Sequence, residues 1–134
     1  MRRIRQARPD VVITHDPVHP WPEYTAHRDH RNVGRTTLDA LYPDARDHLA
    51  FTEQLAAGLE PHITPEAWLI MSSQPDWIID ISDVFEEKVQ SRLLHASQTC
   101  SEAQLRERYA DRATEVGRPV GNRFAEAVKI VRFS

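Results

Sequence analysis

At 134 residues, 40% apolar and 28% charged, with a mean hydropathy of −0.56, the chain suits one globular domain or part of a larger one. A net charge of −3 and a pI near 6.1 argue against a nucleic-acid partner or an anionic membrane surface, and no apolar run nears the roughly 18 residues that a spanning helix needs. The single cysteine, Cys100, excludes an internal disulfide framework and a multi-cysteine zinc site; with no apolar core behind the N-terminal charges, the expected compartment is the cytoplasm.

Residues 1–9 read as the end of a helix, stopped by Arg8-Pro9. Val11-Val12-Ile13-Thr14 is a continuous β-branched run without alternation, which predicts a strand buried on both faces, as in a parallel sheet. His15-Asp16-Pro17 then falls at that strand's C-terminal end, where open α/β sheets bind ligands. Pro17, Pro20 and Pro22 exclude a regular element around Trp21. A helix is predicted from about His27 to Leu41, in which Gly34 permits close packing on a strand, and a second over Ala45–Ala57. Ala67–Met71 and Trp77–Ile81 read as strands. Asp83-x-x-Glu86 suits a capping box for a helix whose stripe runs through Phe85, Val89 and Leu93, and Ser101-x-x-Gln104 suits another. Ile130–Phe133 suits a closing strand. The order β-α-α-β-β-α-α-β predicts a layered α/β fold, read as one partial domain over residues 1–134.

The chemistry concentrates in residues 15–30, which hold four of the seven histidines: His15, His19, His27 and His30. His27 and His30 are three residues apart, a spacing that puts both on one helix face. Two such imidazoles could share a metal, or one could bind it while the other works beside it. Asp29 could orient an imidazole, but only if the first helical turn is irregular, because in a regular turn it would point away from His27. The plain alternative is an exposed helix start, where aspartate is common. Asp16 reads equally as a contact to substrate hydroxyls, as a group near the metal's ligands, or as an Asp-Pro turn residue. Trp21 and Tyr24 could stack on a sugar ring or anchor the loop. His15 and His19 read as loop surface, His95 as a partner for helix-end carbonyls, and Asp80 as structural. His48, His62 and Cys100 have no chemistry-bearing neighbours in sequence.

Val11-Val12-Ile13-Thr14-His15-Asp16-Pro17 followed by His27-Arg28-Asp29-His30-Arg31-Asn32-Val33-Gly34 resembles the "V-V-x-T-x-D-P … H-P-D-H-R-x-x-G" signature of the PIG-L/LmbE-like de-N-acetylases. Asp76-Trp77-Ile78-Ile79-Asp80-Ile81-Ser82, Lys88 and His95-Ala96-Ser97-Gln98 resemble that family's downstream "D-x-x-x-D-I-[ST] … K … H-x-S-Q" block. The resemblance covers nearly the whole chain. It implies a Rossmann-like α/β fold and a zinc-dependent hydrolase that removes an N-acetyl group from an N-acetylglucosamine-type or related conjugate. It further implies that His30 is a zinc ligand, that His27 stabilises the tetrahedral oxyanion, and that Asp29 tunes His27. Arg28 stands where most members have proline. The family's first signature, "A-H-P-D-D-E", which supplies two further zinc ligands and the aspartate base, is absent.

The chain thus reads as the C-terminal half of such an enzyme, with an incomplete Zn2+ site and little activity alone, and a longer reading frame or a second polypeptide is expected to supply the rest. The alternative is a non-catalytic remnant or partner-binding half-domain that self-associates through an open sheet edge.

Overall fold

In the computed structural model, residues 1–18, 27–98 and 101–134 are described. They form five helices, α1 (Arg2–Ala7), α2 (Arg28–Leu41), α3 (Thr52–Ala56), α4 (Phe85–Leu93) and α5 (Glu102–Gly117). Four strands accompany them: β1 (Val11–His15), β2 (Glu66–Ile70), β3 (Trp77–Asp80) and β4 (Ala125–Arg132). The sheet order is β1-β2-β4-β3. It is mixed, with β1 parallel to β2 and β4 antiparallel to β2. By packing the chain divides into two compact units, Met1–Asp76 with Val128–Ser134, and Trp77–Ala127.

In the first unit, Val12 of β1 aligns with Ala67 of β2, and Ala67 with Val131 of β4. Side chains at aligned positions share a face, and this one packs on Ile4 of α1 and Leu38 and Leu41 of α2. The alternate residues of β1, Val11 and Ile13, point to the opposite face, and Ile13 is 64% exposed. The expectation of a strand buried on both faces therefore fails. Among the described residues β1 lies at the edge of the sheet, and its Val12 and Thr14 side is the covered one.

The single helix predicted over Ala45–Ala57 is also broken. A 3-10 turn spans Asp44–Arg46 and α3 starts only at Thr52, after Phe51 at φ 56°, a costly conformation for a residue with a side chain. The cause lies 40 residues upstream. Arg5 is 2% exposed, and its guanidinium donates to the carbonyls of Asp44 (3.2 Å), Ala45 (3.3 Å), Asp47 (2.8 Å), Ala50 (3.0 Å) and Phe51 (3.4 Å). A helix would spend these acceptors on its own N–H groups. Here they turn inward around one buried cation, which has to be paired with acceptors to be tolerated at all.

In the second unit, Ile81, Phe85, Val89, Leu105 and Ala113 form the core between α4 and α5, with Phe124 stacked on Phe85 at 4.0 Å. The predicted stripe of α4 is therefore core. The capping box at Ser101 forms as predicted, with its hydroxyl accepting from the Gln104 N–H and Gln104 returning to the Ser101 N–H. The one at Asp83 does not. A 3-10 turn over Ser82–Val84 delays α4, and Asp80 instead accepts from the N–H and hydroxyl of Ser82. These hydrogen bonds hold the Asp80 carboxyl below the usual range. β4 begins at Ala125, five residues before the predicted start.

Candidate functional site

The site lies in the first unit, where β1 ends and α2 begins. Its closeness rests on Gly34. A Cβ there would lie 2.3 Å from the His15 carbonyl oxygen and 3.1 Å from the Pro17 nitrogen. Only a residue without one lets α2 press its backbone onto the strand end. His30 is one helical turn before Gly34 on the same face, so the same approach carries its ring over His15. The two imidazoles stack with centroids 4.2 Å apart and planes 3° from parallel. His15 therefore does not lie on a loop surface: it is the last residue of β1, half-buried, and its Nδ1 is enclosed without a hydrogen-bond partner among the described residues. Burial, and to a lesser degree the neighbouring His30, hold its pKa below that of an ordinary histidine.

His27 is not inside the helix but caps it. Its extended backbone (φ −52°, ψ 140°) turns the ring back so that Nδ1 accepts from the Asp29 N–H at 3.2 Å. This irregular start also brings Asp29 Oδ2 to 3.7 Å from the same nitrogen. The ring of His27 meets that of His30 edge-on, with centroids 6.0 Å apart and planes at 62°. His27, Asp29 and His30 are thus together, with His27 and Asp29 facing water and His30 the more enclosed. Arg28 is 81% exposed on its side chain and turns toward Asp29, outside the histidine cluster.

Asp16 is buried at the strand end. Its N–H donates to the Ile70 carbonyl and its Oδ1 accepts from the Val18 N–H at 2.8 Å, the bonding of an Asp-Pro turn. Trp21, with His19, Tyr24 and Cys100, lies outside the described residues. His62 donates from Nε2 to the Pro9 carbonyl at 2.9 Å, a structural contact. His95 is exposed beyond the end of α4. The downstream block is occupied structurally: Asp76 holds Lys129 and the Ile130 N–H, and Lys88 pairs with Glu126. His15 is the residue that sequence reasoning undervalued. Its place as the final residue of a strand, directly before Asp-Pro, was the available signal.

The donor set does not amount to a metal centre by itself. An imidazole binds an ion in its own plane, at about 2.0–2.1 Å from nitrogen, and one ion cannot lie in both planes of a parallel stack. His15 and His30 as placed are therefore not a chelating pair. Among the described residues, no three of His, Cys, Asp and Glu are grouped to hold an ion.

In fold and sequence the chain is similar to diacetylchitobiose deacetylases, which supports the resemblance to the PIG-L/LmbE-like de-N-acetylases. It is 32% identical over 130 residues to a diacetylchitobiose deacetylase of Thermococcus kodakarensis, across 96% of this chain and 47% of that protein. Among solved structures it is similar to N,N′-diacetylchitobiose deacetylase from Pyrococcus horikoshii, determined with an inhibitor, at a TM-score of 0.82 and 26% identity. That match covers 98% of this chain and 49% of the other. A 4-carboxy-2-hydroxymuconate hydratase from Pseudomonas putida shares the fold at a TM-score of 0.67 and 20% identity, over 98% of this chain and 56% of that one. No protein-family model matches the chain. The chain spans about half the length of the deacetylases it matches. No helix among the described residues is long and apolar enough to cross a membrane.

Proposed function

We propose that the chain carries part of the active site of a hydrolase that removes an N-acetyl group from an N-acetylglucosamine-type sugar or a related conjugate. The observation that carries this reading is the convergence of His27, Asp29 and His30 at the C-terminal end of β1. In a chain related to diacetylchitobiose deacetylases, that is where an α/β sheet presents its chemistry.

His27 is the group assigned to the reacting carbonyl. With Nδ1 accepting from the Asp29 N–H, the neutral ring carries its proton on Nε2, which is then a donor. Asp29, whose Oδ2 lies 3.7 Å from Nδ1, is the carboxylate assigned to orient the ring. A donor of this kind aimed at a developing oxyanion is worth about 3–4 kcal/mol of barrier. Asp16, at the strand end, and Trp21 are assigned to the sugar. Zinc dependence belongs to the same proposal: His30 is the ligand this chain contributes, and the remaining donors and the general base come from the half that it does not span.

The isolated chain is expected to release no amine from N,N′-diacetylchitobiose with or without added Zn2+. Fused to the unspanned half of the Thermococcus kodakarensis protein, it is expected to regain activity that both His27→Ala and His30→Ala remove. A folded fusion that works equally well without either histidine would overturn the assignment. A second reading, a partner-binding half-domain, is favoured by one observation, the exposed Ile13 on the edge strand. It predicts self-association in size-exclusion chromatography that Ile13→Lys abolishes.

A further inference from the structure

We infer that the open face of the sheet in the first unit is the seat of an apolar helix from the half of the domain that this chain does not span. This rests on the reading that such a half completes the site, and it states where that half sits.

Alternation along the strands fixes which side chains make up the face. Val11 and Ile13 of β1, Trp68 of β2 and Ile130 of β4 stand on it together, because Ile13 aligns with Trp68 and Trp68 with Ile130. Ile13 is 64% exposed and Val11 37%, while Trp68 and Ile130 are half-buried. The polar groups among them answer one another. Glu66 accepts from Arg132 Nε at 3.1 Å through one oxygen and from Trp68 Nε1 at 2.9 Å through the other. What the face offers a partner is therefore hydrocarbon, and an apolar patch of this kind marks an interaction surface.

The opposite face is covered by α1 and α2. Parallel strands such as β1 and β2 are ordinarily covered by helices on both faces, and among the described residues nothing covers Ile13 in that way. The length of the relatives supplies a source for the missing layer. The chain matches 47% of the Thermococcus kodakarensis protein and 49% of the Pyrococcus horikoshii one, so about as much chain again has no counterpart here. Ile13 lies two residues before His15, where the site begins. A helix laid along β1 over Ile13 thus reaches the strand end, which is where completing donors have to arrive. A second copy of this chain would bring the same half again and no new donors. The seat holds whether the completing half is joined to this chain or is a second polypeptide.

The test is thiol reactivity toward N-ethylmaleimide in a Cys100→Ser background, in the isolated chain and in its fusion to the unspanned half of the Thermococcus kodakarensis protein. In the isolated chain the thiol of Ile13→Cys should react about as fast as that of Thr36→Cys, at an exposed position of α2. In the fusion the Ile13→Cys thiol should slow by about tenfold or more. Ile13→Lys should leave the melting midpoint of the isolated chain within about 2 °C and lower that of the fusion by about 5 °C or more, since there the charge is buried. A fusion to the corresponding half of the Pyrococcus horikoshii protein replaces the first if that one does not fold. If neither folds, the isolated chain decides: a slow Ile13→Cys thiol, or a midpoint lowered by Ile13→Lys, means that the face is already covered and overturns the inference. A thiol equally fast in a folded fusion also overturns it. So does protection in the isolated chain that grows with concentration alongside a doubled mass in size-exclusion chromatography, because the occupant is then a second copy. Reactivity is read without substrate or metal. A fusion that protects the thiol but hydrolyses nothing counts against the deacetylase reading alone, and one that hydrolyses without protecting it counts against the seat alone.

Discussion

Replacing Gly34 by alanine sets two effects against each other at one position. Alanine is the better helix former by about 1 kcal/mol, and residue 34 lies in the middle of α2, so the helix considered alone would gain. In the fold, however, the new methyl group would sit 2.3 Å from the His15 carbonyl oxygen, where ordinary contact begins near 3.4 Å. The shortfall is about 1.1 Å, and both nearest obstacles, the His15 carbonyl and the Pro17 nitrogen, are main chain that cannot rotate aside. Overpacking costs about 1–3 kcal/mol, and a rigid obstacle belongs at the upper end. Less the propensity gain, a net loss of about 1–2 kcal/mol remains, which for a chain of this size lowers the melting midpoint by about 3–10 °C. Thermal unfolding followed by circular dichroism measures it, with Thr36→Ala, at an exposed position of α2, calibrating propensity alone. A Gly34→Ala midpoint at or above wild type would refute the close seating of α2 on β1.

Arg5→Met should cost about 3 kcal/mol or more in urea unfolding, because the carbonyls around the guanidinium lose their donor together; a loss under about 1 kcal/mol would contradict the account of the 44–51 loop. The hydrogen bond from Lys129, then that from the Ile130 N–H, holds the Asp76 carboxyl below the usual range. Its contribution is therefore complete above the unfolded value of about 3.9 and is lost as pH falls through the lower folded value. Asp76→Asn should accordingly differ most from wild type at neutral pH, with the gap in urea midpoint closing as the solution is acidified toward about pH 2; an unchanging gap would count against the pairing. His27→Asn should stabilise the chain by about 0.5–1 kcal/mol, because asparagine is among the best N-caps, while removing activity from the completed enzyme. If His27→Asn destabilises, histidine was placed there for the fold.

The histidine cluster was legible because its spacing is local: three residues on a helix start fix which rings can meet, and the β-branched run before it fixes where they meet. Gly34 was legible for the same reason. What escaped depends on distant partners. Nothing near residues 45–57 announces that their carbonyls serve Arg5, so the periodic apolar pattern there predicts one helix. Nothing in Val11–Thr14 distinguishes a central strand from one at the rim of a sheet, since the composition is the same and only the neighbours differ. Asp83 carried a capping signature, but Asp80 had already taken up Ser82 and postponed the helix by one turn. His15 belonged to a residue class that is often solvent-facing in a turn, and its true surroundings became visible only once the helix was laid across the strand end.

The buried guanidinium has one more consequence. The 44–51 loop is shaped as a host for a tethered guest, and emptying it by Arg5→Ala leaves a ring of inward-facing carbonyl dipoles. A small free guanidinium ion, at concentrations far below those that denature proteins, should then raise the melting temperature of that variant and leave the parent unmoved. A denaturant would thus act as a ligand in a protein one side chain short of its own.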